Sequence, residues 1–437
     1  MLGKNRSQPA LFQMVELEAL VPANHRLRKI NAVLDLGFVH EAVAECYSAG
    51  RGRPSIDPEL ALRMMLLGRL YDLGDRELCD EIGMHAGMRW FCGLNLHDRV
   101  PDHSTLSKLK NERWAESGLF ERLFDEVVRQ CAEAGLVSGR HVSGDGTEVR
   151  ANASMKSLSP VGPRRTEEEP GPEAGGGAAR EPQPKGEWKG RGERYSNQTH
   201  RSTSDPDARL FRKGKAKEVR LCYLLHDLID TKSRVILSRK TSLAHSSMER
   251  TMCIEMLDEV LSKQTILGLP HRPEVVSLDA GYGTGELAAA LLERGIEPHM
   301  PLQAGAQMEA EPVWRRRTSS LCRQRERREK ARVVRARNRV RELQKTRGYR
   351  VSRKLRVRSE HVFAEAKVLH GMGSARVRGC HRVQIQGQLT GIVQNLKRLA
   401  AFRGRRRPGA VQVAATVGSV RRSTSCGAPA KRFSSRR

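Results

Sequence analysis

Two short apolar runs, each closing on an aspartate, constrain this fold most. His141-Val142-Ser143-Gly144-Asp145 and Val275-Val276-Ser277-Leu278-Asp279 are too short for helices and are followed by glycine-rich turns. Runs of that length and bounding are expected as strands buried in a sheet. A sheet that buries both must therefore present carboxylates where its strands end.

A third acid carries a more telling pattern. Glu360, in RVRSEHVFAEAK, is expected to head an amphipathic helix with Phe363 and Val368 on its buried side. Arg356, Glu360 and Lys367 follow R-x3-E-x6-K. On a helix Glu360 and Lys367 lie two turns apart on one face. A carboxylate for metal and a lysine for phosphate on one face suit phosphodiester chemistry. Glu365 competes on the same helix, about 140° around from Glu360 at roughly 100° per residue.

Each acid also has an ordinary explanation. Asp145 alone reads as a turn residue at a strand end. Glu360 alone reads as an acid favoured by a helix N-terminus. Asp279 opens Asp279-Ala280-Gly281-Tyr282-Gly283-Thr284-Gly285, which also matches the glycine-rich loop of S-adenosylmethionine methyltransferases. In that loop the glycines admit a cofactor, and an acid ends the next strand. Here the next strand, EPHMPL, ends without one.

Charge narrows the partner. Seventy-eight Lys and Arg against fifty Asp and Glu give a formal charge of +28, the field of a polyanion binder. Aromatic content of 4% makes base stacking a minor part of that binding. Nine cysteines form no C-x-x-C pair, which excludes the usual structural zinc site and disulfide framework and fits a reducing cytoplasm. The N-terminus lacks the apolar stretch of a signal peptide, and no run approaches the roughly 20 apolar residues of a membrane span. His226 and His370 are expected as satisfied structural histidines. No H-E-x-x-H, Walker loop or G-x-S-x-G is present.

The order of segments predicts a helical region over 1–135. Asp57-Pro58 starts a helix with Leu60, Met64, Leu67 and Tyr71 on one face. Gly74 ends it, Asp75 caps the next, and Gly83 closes that one. A third helix from about Ser104 exposes Lys108, Lys110 and Arg113, in the manner of a helix-turn-helix. A basic helical bundle that binds nothing remains the alternative. A further helix spans 116–134. Beyond it, strands are expected at 219–229, 233–241 and 298–302, and helices at 246–263 and 284–295. Residues 155–203 are rich in Pro, Gly, Glu and Arg and are expected as an insertion outside the core. Residues 315–358 are arginine-rich, with Arg315, Arg316, Arg317, Arg327 and Arg328 on an expected phosphate-contacting surface. Residues 401–437 form a basic tail.

Taken together, these segments resemble bacterial insertion-sequence transposases of the IS4/IS5 superfamily, nearest the IS1182 branch. The resemblance rests on GRGRPSIDPELALRMMLLGRLYDLGDREL, MRWFCGLNLHDRVPDHSTLSK, DGTEVRANAS, SDPDARL, LDAGYGTGE and EHVFAEAKVLHGMGSARVRGCHRVQIQGQLTGIVQNLKRLA, and on their order. It implies an α/β RNase H-like catalytic domain, a mixed sheet flanked by helices, over 136–400, behind an all-α DNA-binding domain over 1–135. It implies a DDE triad of Asp145, Asp279 and Glu360 holding two Mg²⁺ or Mn²⁺ ions, with Arg356 and Lys367 beside it. Implied partners are double-stranded DNA, as element terminal inverted repeats and target, and a second copy of the chain; no membrane is implied, and the location is the bacterial cytoplasm, on the nucleoid when bound. In the family pattern Y-x2-R-x3-E-x6-K, Arg353 stands where relatives have Tyr. Near the second Asp relatives often read D-K-G-Y-D, from which Ala280 and Gly283 depart. A copy that only binds DNA, or a methyltransferase, are the alternatives.

Overall fold

The computed structural model describes residues 16–48, 55–161, 195–212, 218–245, 247–305, 307–314 and 320–405. Its first part is helical: α1 Leu17–Leu20, α2 Arg26–Asn31, α3 Val39–Val43, α4 Pro58–Leu70, α5 Asp75–Met84, α6 Ala86–Cys92, α7 His103–Lys108 and α8 Leu119–Glu133. Asp57 caps α4 as its sequence predicts, its carboxylate accepting from the Glu59 amide at 2.9 Å. The next turn differs from expectation. Gly74, not Asp75, occupies the cap of α5, and Glu77 reaches back to accept from the Gly74 amide at 3.3 Å. The helix runs through Gly83 to Met84, because His85 is taken up as the cap of α6.

The second part is a mixed sheet. It contains β1 His141–Arg150, β4 Arg209–Phe211, β5 Arg220–Asp230, β6 Ile236–Leu243, β7 Val275–Ser277 and β8 Glu297–His299; β2 Leu158–Pro160 and β3 His200–Ser202 form a separate ribbon. The order is β6-β5-β1-β7-β8, with β4 extending the β6 side of β5. Strands β6, β5 and β1 are antiparallel, whereas β7 and β8 run parallel to β1. This is the RNase H-like arrangement. β5 is buried along nearly its whole length, as expected of a strand covered on both faces.

Helices cover the sheet: α9 Met248–Ser262, α10 Gly285–Glu293, α11 Leu321–Gln344, α12 Arg347–Leu355, α13 Val357–Leu369 and α14 Cys380–Arg405. α14 also protects an edge. Asn395 exchanges two hydrogen bonds of 2.9 Å with the Ile236 backbone, and Gln384 bonds the Thr241 amide at 2.6 Å and the Arg239 carbonyl at 2.9 Å. These amides satisfy backbone groups that an edge strand would leave open to another chain. The same helix packs on α8, α4 and α2, so one continuous core runs from Leu27 and Trp114 into Val142, Ile236 and Leu396.

Three further expectations are corrected. Residues 155–203 are not wholly outside the fold: their ends form a 3₁₀ turn at Met155–Ser157 and the β2–β3 ribbon, with Leu158 opposite Ser202, while 162–194 lie outside the described residues. α14 extends to Arg405, past the expected start of the tail, and 406–437 lie outside the described residues. Val368 is 77% exposed rather than buried, although Phe363 is buried.

Candidate active site

Asp145 sits in the middle of β1, between two glycines that let other groups approach the strand. A Cβ on Gly144 would lie 2.8 Å from the Leu278 side chain, and one on Gly146 would lie 3.1 Å from the Glu249 carboxylate. Asp145 is 7% exposed. Its Oδ1 accepts from the Gly146 amide at 2.8 Å. Asp279 leaves the neighbouring parallel strand at the same level. Ser143 pairs with Ser277, and each aspartate stands two residues further on. The Asp279 side chain caps a 3₁₀ turn, Ala280–Tyr282, by accepting from the Gly281 amide at 2.8 Å.

Glu360 lies in the first turn of α13 and is exposed. The start of that helix is fixed by two groups. Arg358 donates to the Thr231 and Lys232 carbonyls, both at 2.9 Å, which pins α13 to the β5–β6 turn. Ser359, 1% exposed, donates to the Asp145 Oδ2 at 3.2 Å. Arg356 then stands between two of the three acids, 3.1 Å from Glu360 and 3.8 Å from Asp145. Lys367 is half-buried further along α13, and its charge reaches Cys222 on β5.

The structure thus links Asp145 to Glu360 through Arg356 and Ser359 and places Asp279 on the adjacent strand. It does not close them into a coordination shell: among the described residues no three His, Cys, Asp or Glu groups stand close enough to hold a metal ion. The donor set still fits a hard divalent cation, because all three groups are carboxylates. A guanidinium already lies where the Asp145 and Glu360 charges converge.

Sequence reasoning missed three neighbours. Ser359 precedes Glu360 directly and could have been found as a hydroxyl at a helix start. Glu249, in the first turn of α9, brings another carboxylate against the Asp145 strand. Tyr282 is buried; its phenol is pushed well above 10 by burial and then by nearby negative groups that include Glu249, Asp145 and Asp279. No spacing rule on the chain points to either of these last two.

Glu365, the competing acid, faces the opposite way. It pairs with Lys397 at 2.6 Å and Arg398 at 2.7 Å and accepts from Gln394 at 3.2 Å, all on α14. Its carboxyl is held well below the usual range, since these partners and His370 outweigh its burial. His370 is the satisfied histidine expected, bonding the Arg69 carbonyl at 2.8 Å and Lys397 at 3.2 Å, whereas His226 is satisfied on one side only: its Nε2 bonds Ser242 at 2.8 Å and its buried Nδ1 has no partner among the described residues. The glycines of the Asp279 loop approach protein. A Cβ on Gly283 would fall 2.0 Å from the Pro301 carbonyl oxygen, and one on Gly285 would fall 2.5 Å from Val333. They serve packing of α11 and the 301 segment, and nothing supports a methyl-donor site.

The basic positions separate. Lys108 and Arg113 are exposed, and Arg113 lies over the Tyr47 ring at 5.0 Å. Lys110 does not project into solvent as expected; it is half-buried and bonds both Asp75 oxygens at 2.9 Å. Arg328 is exposed on α11, and Arg327 stacks over Trp314 at 4.9 Å. Arg315, Arg316 and Arg317 lie outside the described residues. Part of the arginine run is structural: Arg332 pairs with Glu293 at 2.7 Å, and Arg341, 2% exposed, pairs with Glu309 at 2.7 Å.

Two family models match the chain. One, described as a transposase domain (DUF772), covers residues 15–112; the other, described as a transposase DDE domain, covers residues 198–396. A solved structure of the Mos1 mariner paired end complex with Mn is similar at 12% identity over 78% of this chain and 90% of that one; its TM-score of 0.17 is too low to bear on this fold. The matched domains define the class: a DNA-processing enzyme with a DDE nuclease domain. The chain belongs to the DDE transposases of the insertion-sequence type, enzymes that use divalent metal on DNA. No helix among the described residues is long and apolar enough to cross a membrane.

Proposed function

We propose that this transposase cuts and joins DNA at the ends of an insertion sequence, with Asp145, Asp279 and Glu360 holding two Mg²⁺ or Mn²⁺ ions. The observation that carries the assignment is the convergence of Asp145 and Glu360 on Arg356, with Ser359 bonded to Asp145, beside the strand that leads to Asp279. The chemistry such ions would supply when held by these carboxylates is activation of a water or 3′-hydroxyl and charge stabilisation of the leaving oxygen. Ser359 and the Gly146 amide hold the Asp145 carboxylate in one orientation. Arg356 neutralises the acids until DNA arrives and then turns to a phosphate oxygen, a geometry its planar fork favours. Lys367 meets the phosphate backbone along α13.

Residues 1–135, with Lys108 and Arg113 exposed, and the arginine-rich 315–358 run bind terminal repeats and flanking DNA, while 136–400 carry the chemistry. Lys110 drops out of that surface because of its pair with Asp75. Joining two element ends in one reaction calls for two copies of the chain on DNA. The setting is the bacterial cytoplasm, with the nucleoid as the site of binding.

The test is metal-dependent nicking of element-end DNA by wild type and by Asp145→Asn, Asp279→Asn and Glu360→Gln. Wild-type activity lost in all three variants supports the triad. Equal activity in all four rejects it, and activity in none marks a copy that only binds DNA.

A further inference from the structure

Away from the triad, positive charge is out of balance at one cavity. It measures about 290 Å³ and lies where α4, α5 and α7 meet the start of α14. Arg69, Lys110, Arg376 and Arg382 line it, and Asp75 is the acid among its lining residues. That acid is already committed to Lys110. Arg376 is likewise committed, to Asp72, through the carboxylate and the backbone carbonyl at 2.6 Å each.

Arg69 has no such partner for its inner nitrogen. It is 7% exposed, and its Nη1 is buried without a hydrogen-bond acceptor. A buried guanidinium N–H left unpaired is costly, and guanidinium cannot shed its charge at any pH the protein meets. Burial first, and then the charge of Arg376, pull Arg69 down to about 10. Burial also lowers Lys110, with Arg69 and Arg376 adding to it against Asp75. The three cations therefore feel one another. Gly74 borders the cavity at the start of α5, where Asp75 and Glu77 of the first turn already answer the helix end, so the unanswered charge is that of the arginines. The loop before α5 is held in an unusual shape, with Asp72 at φ 58°, by the Arg376 bonds.

We propose that this cavity is a phosphate-binding site at the seam between the N-terminal helices and the catalytic sheet. A tetrahedral oxyanion would give Arg69 its missing acceptor and bridge to Arg376 and Arg382. Contributions from both sides of the seam mean that the bound anion would fasten α4 to α14. The phosphate comes either from a DNA backbone or from solution, and the two sources predict different measurements.

Full-length protein is titrated with inorganic phosphate by calorimetry, and DNA affinity is measured over a range of salt. Variants are Arg69→Met and, because burial could make that one fold poorly, the exposed Arg382→Gln, with Asp145→Asn as a control. Saturable phosphate binding that weakens about tenfold or more in Arg382→Gln but not in Asp145→Asn supports the site with a free anion. Silence toward free phosphate, with DNA affinity reduced in Arg382→Gln and a salt slope smaller by about one, supports it with a backbone phosphate. Two results overturn the proposal. One is no phosphate binding together with wild-type DNA affinity and salt slope in both arginine variants. The other is phosphate binding that Asp145→Asn abolishes and Arg382→Gln leaves intact.

Discussion

Glu360 and Glu365 share one helix and the same residue type, yet their surroundings are opposite. Glu365 is enclosed by Lys397, Arg398 and Gln394 of α14, a neighbourhood that uses up its charge in holding two helices together. Glu360 stands 55% exposed with Arg356 as its partner, and that same arginine reaches for Asp145. A carboxylate buried among fixed cations has no room for another ion. One that faces a single guanidinium across from a second carboxylate does. On α13, then, the contrast marks which acid builds the fold and which is open to chemistry.

The sharpest way to break that contrast is to remove each acid in turn. Glu360→Gln should lower metal-dependent DNA cleavage by about 10³-fold or more while the melting temperature stays near wild type. Glu365→Gln should do the reverse. Cleavage per folded molecule should hold, and stability should fall by about 1–3 kcal/mol in denaturant unfolding, because Lys397 and Arg398 would lose their shared partner. An inactive, fully stable Glu365→Gln protein beside an active Glu360→Gln protein would invert the assignment.

A smaller effect is expected at Ser359. Its hydroxyl touches Asp145 and belongs to the helix of Glu360, so it orients one acid relative to the other. Ser359→Ala should weaken Mn²⁺ affinity by about 10–100-fold, the usual cost of losing a bond that orients a ligand. Ser359→Thr should restore most of it. Unchanged affinity in Ser359→Ala would make the contact incidental.

The smallest effect concerns the histidines of the sheet. Burial lowers His141 to about 4 and His226 to about 3. Both are neutral in the folded chain where the unfolded chain, with an ordinary pKa near 6.5, takes up protons. Stability is therefore full above about pH 6.5 and falls as pH drops from there toward 4, since the unfolded state binds more protons in that window. His141→Gln should flatten part of this slope in melting curves recorded across it. An unchanged slope would mean that other groups set the acid limb.

Much of the sheet was legible because its strands are short apolar runs with nothing else to become. β1, β5 and β7 were all expected near their observed places, and Asp57-Pro58 announced α4 through local capping chemistry. What escaped depends on contacts between distant segments. Lys110 looks like a solvent-facing residue of a basic helix until the chain folds Asp75 against it. Val368 continues an apolar pattern that α13 does not bury. Gly74 rather than Asp75 takes the cap, with Glu77 reaching back to its amide, while Asp75 is spent on Lys110. The three acids were readable as candidates, but what surrounds them depends on distant segments: the β5–β6 turn that Arg358 grips and Glu249 of α9 beside the Asp145 strand leave no periodic trace.

The central claim is that Asp145, Asp279 and Glu360 form one divalent-metal site with Arg356 as its resident cation. Calorimetric titration of the DNA-free protein with Mn²⁺ tests it most directly, on wild type, each of the three carboxamide variants and Arg356→Gln. The account predicts saturable binding by wild type, its loss or severe weakening in all three carboxamide variants, and tighter binding in Arg356→Gln, where no guanidinium competes for the carboxylates. Wild-type affinity in the Asp145→Asn and Glu360→Gln proteins would contradict it.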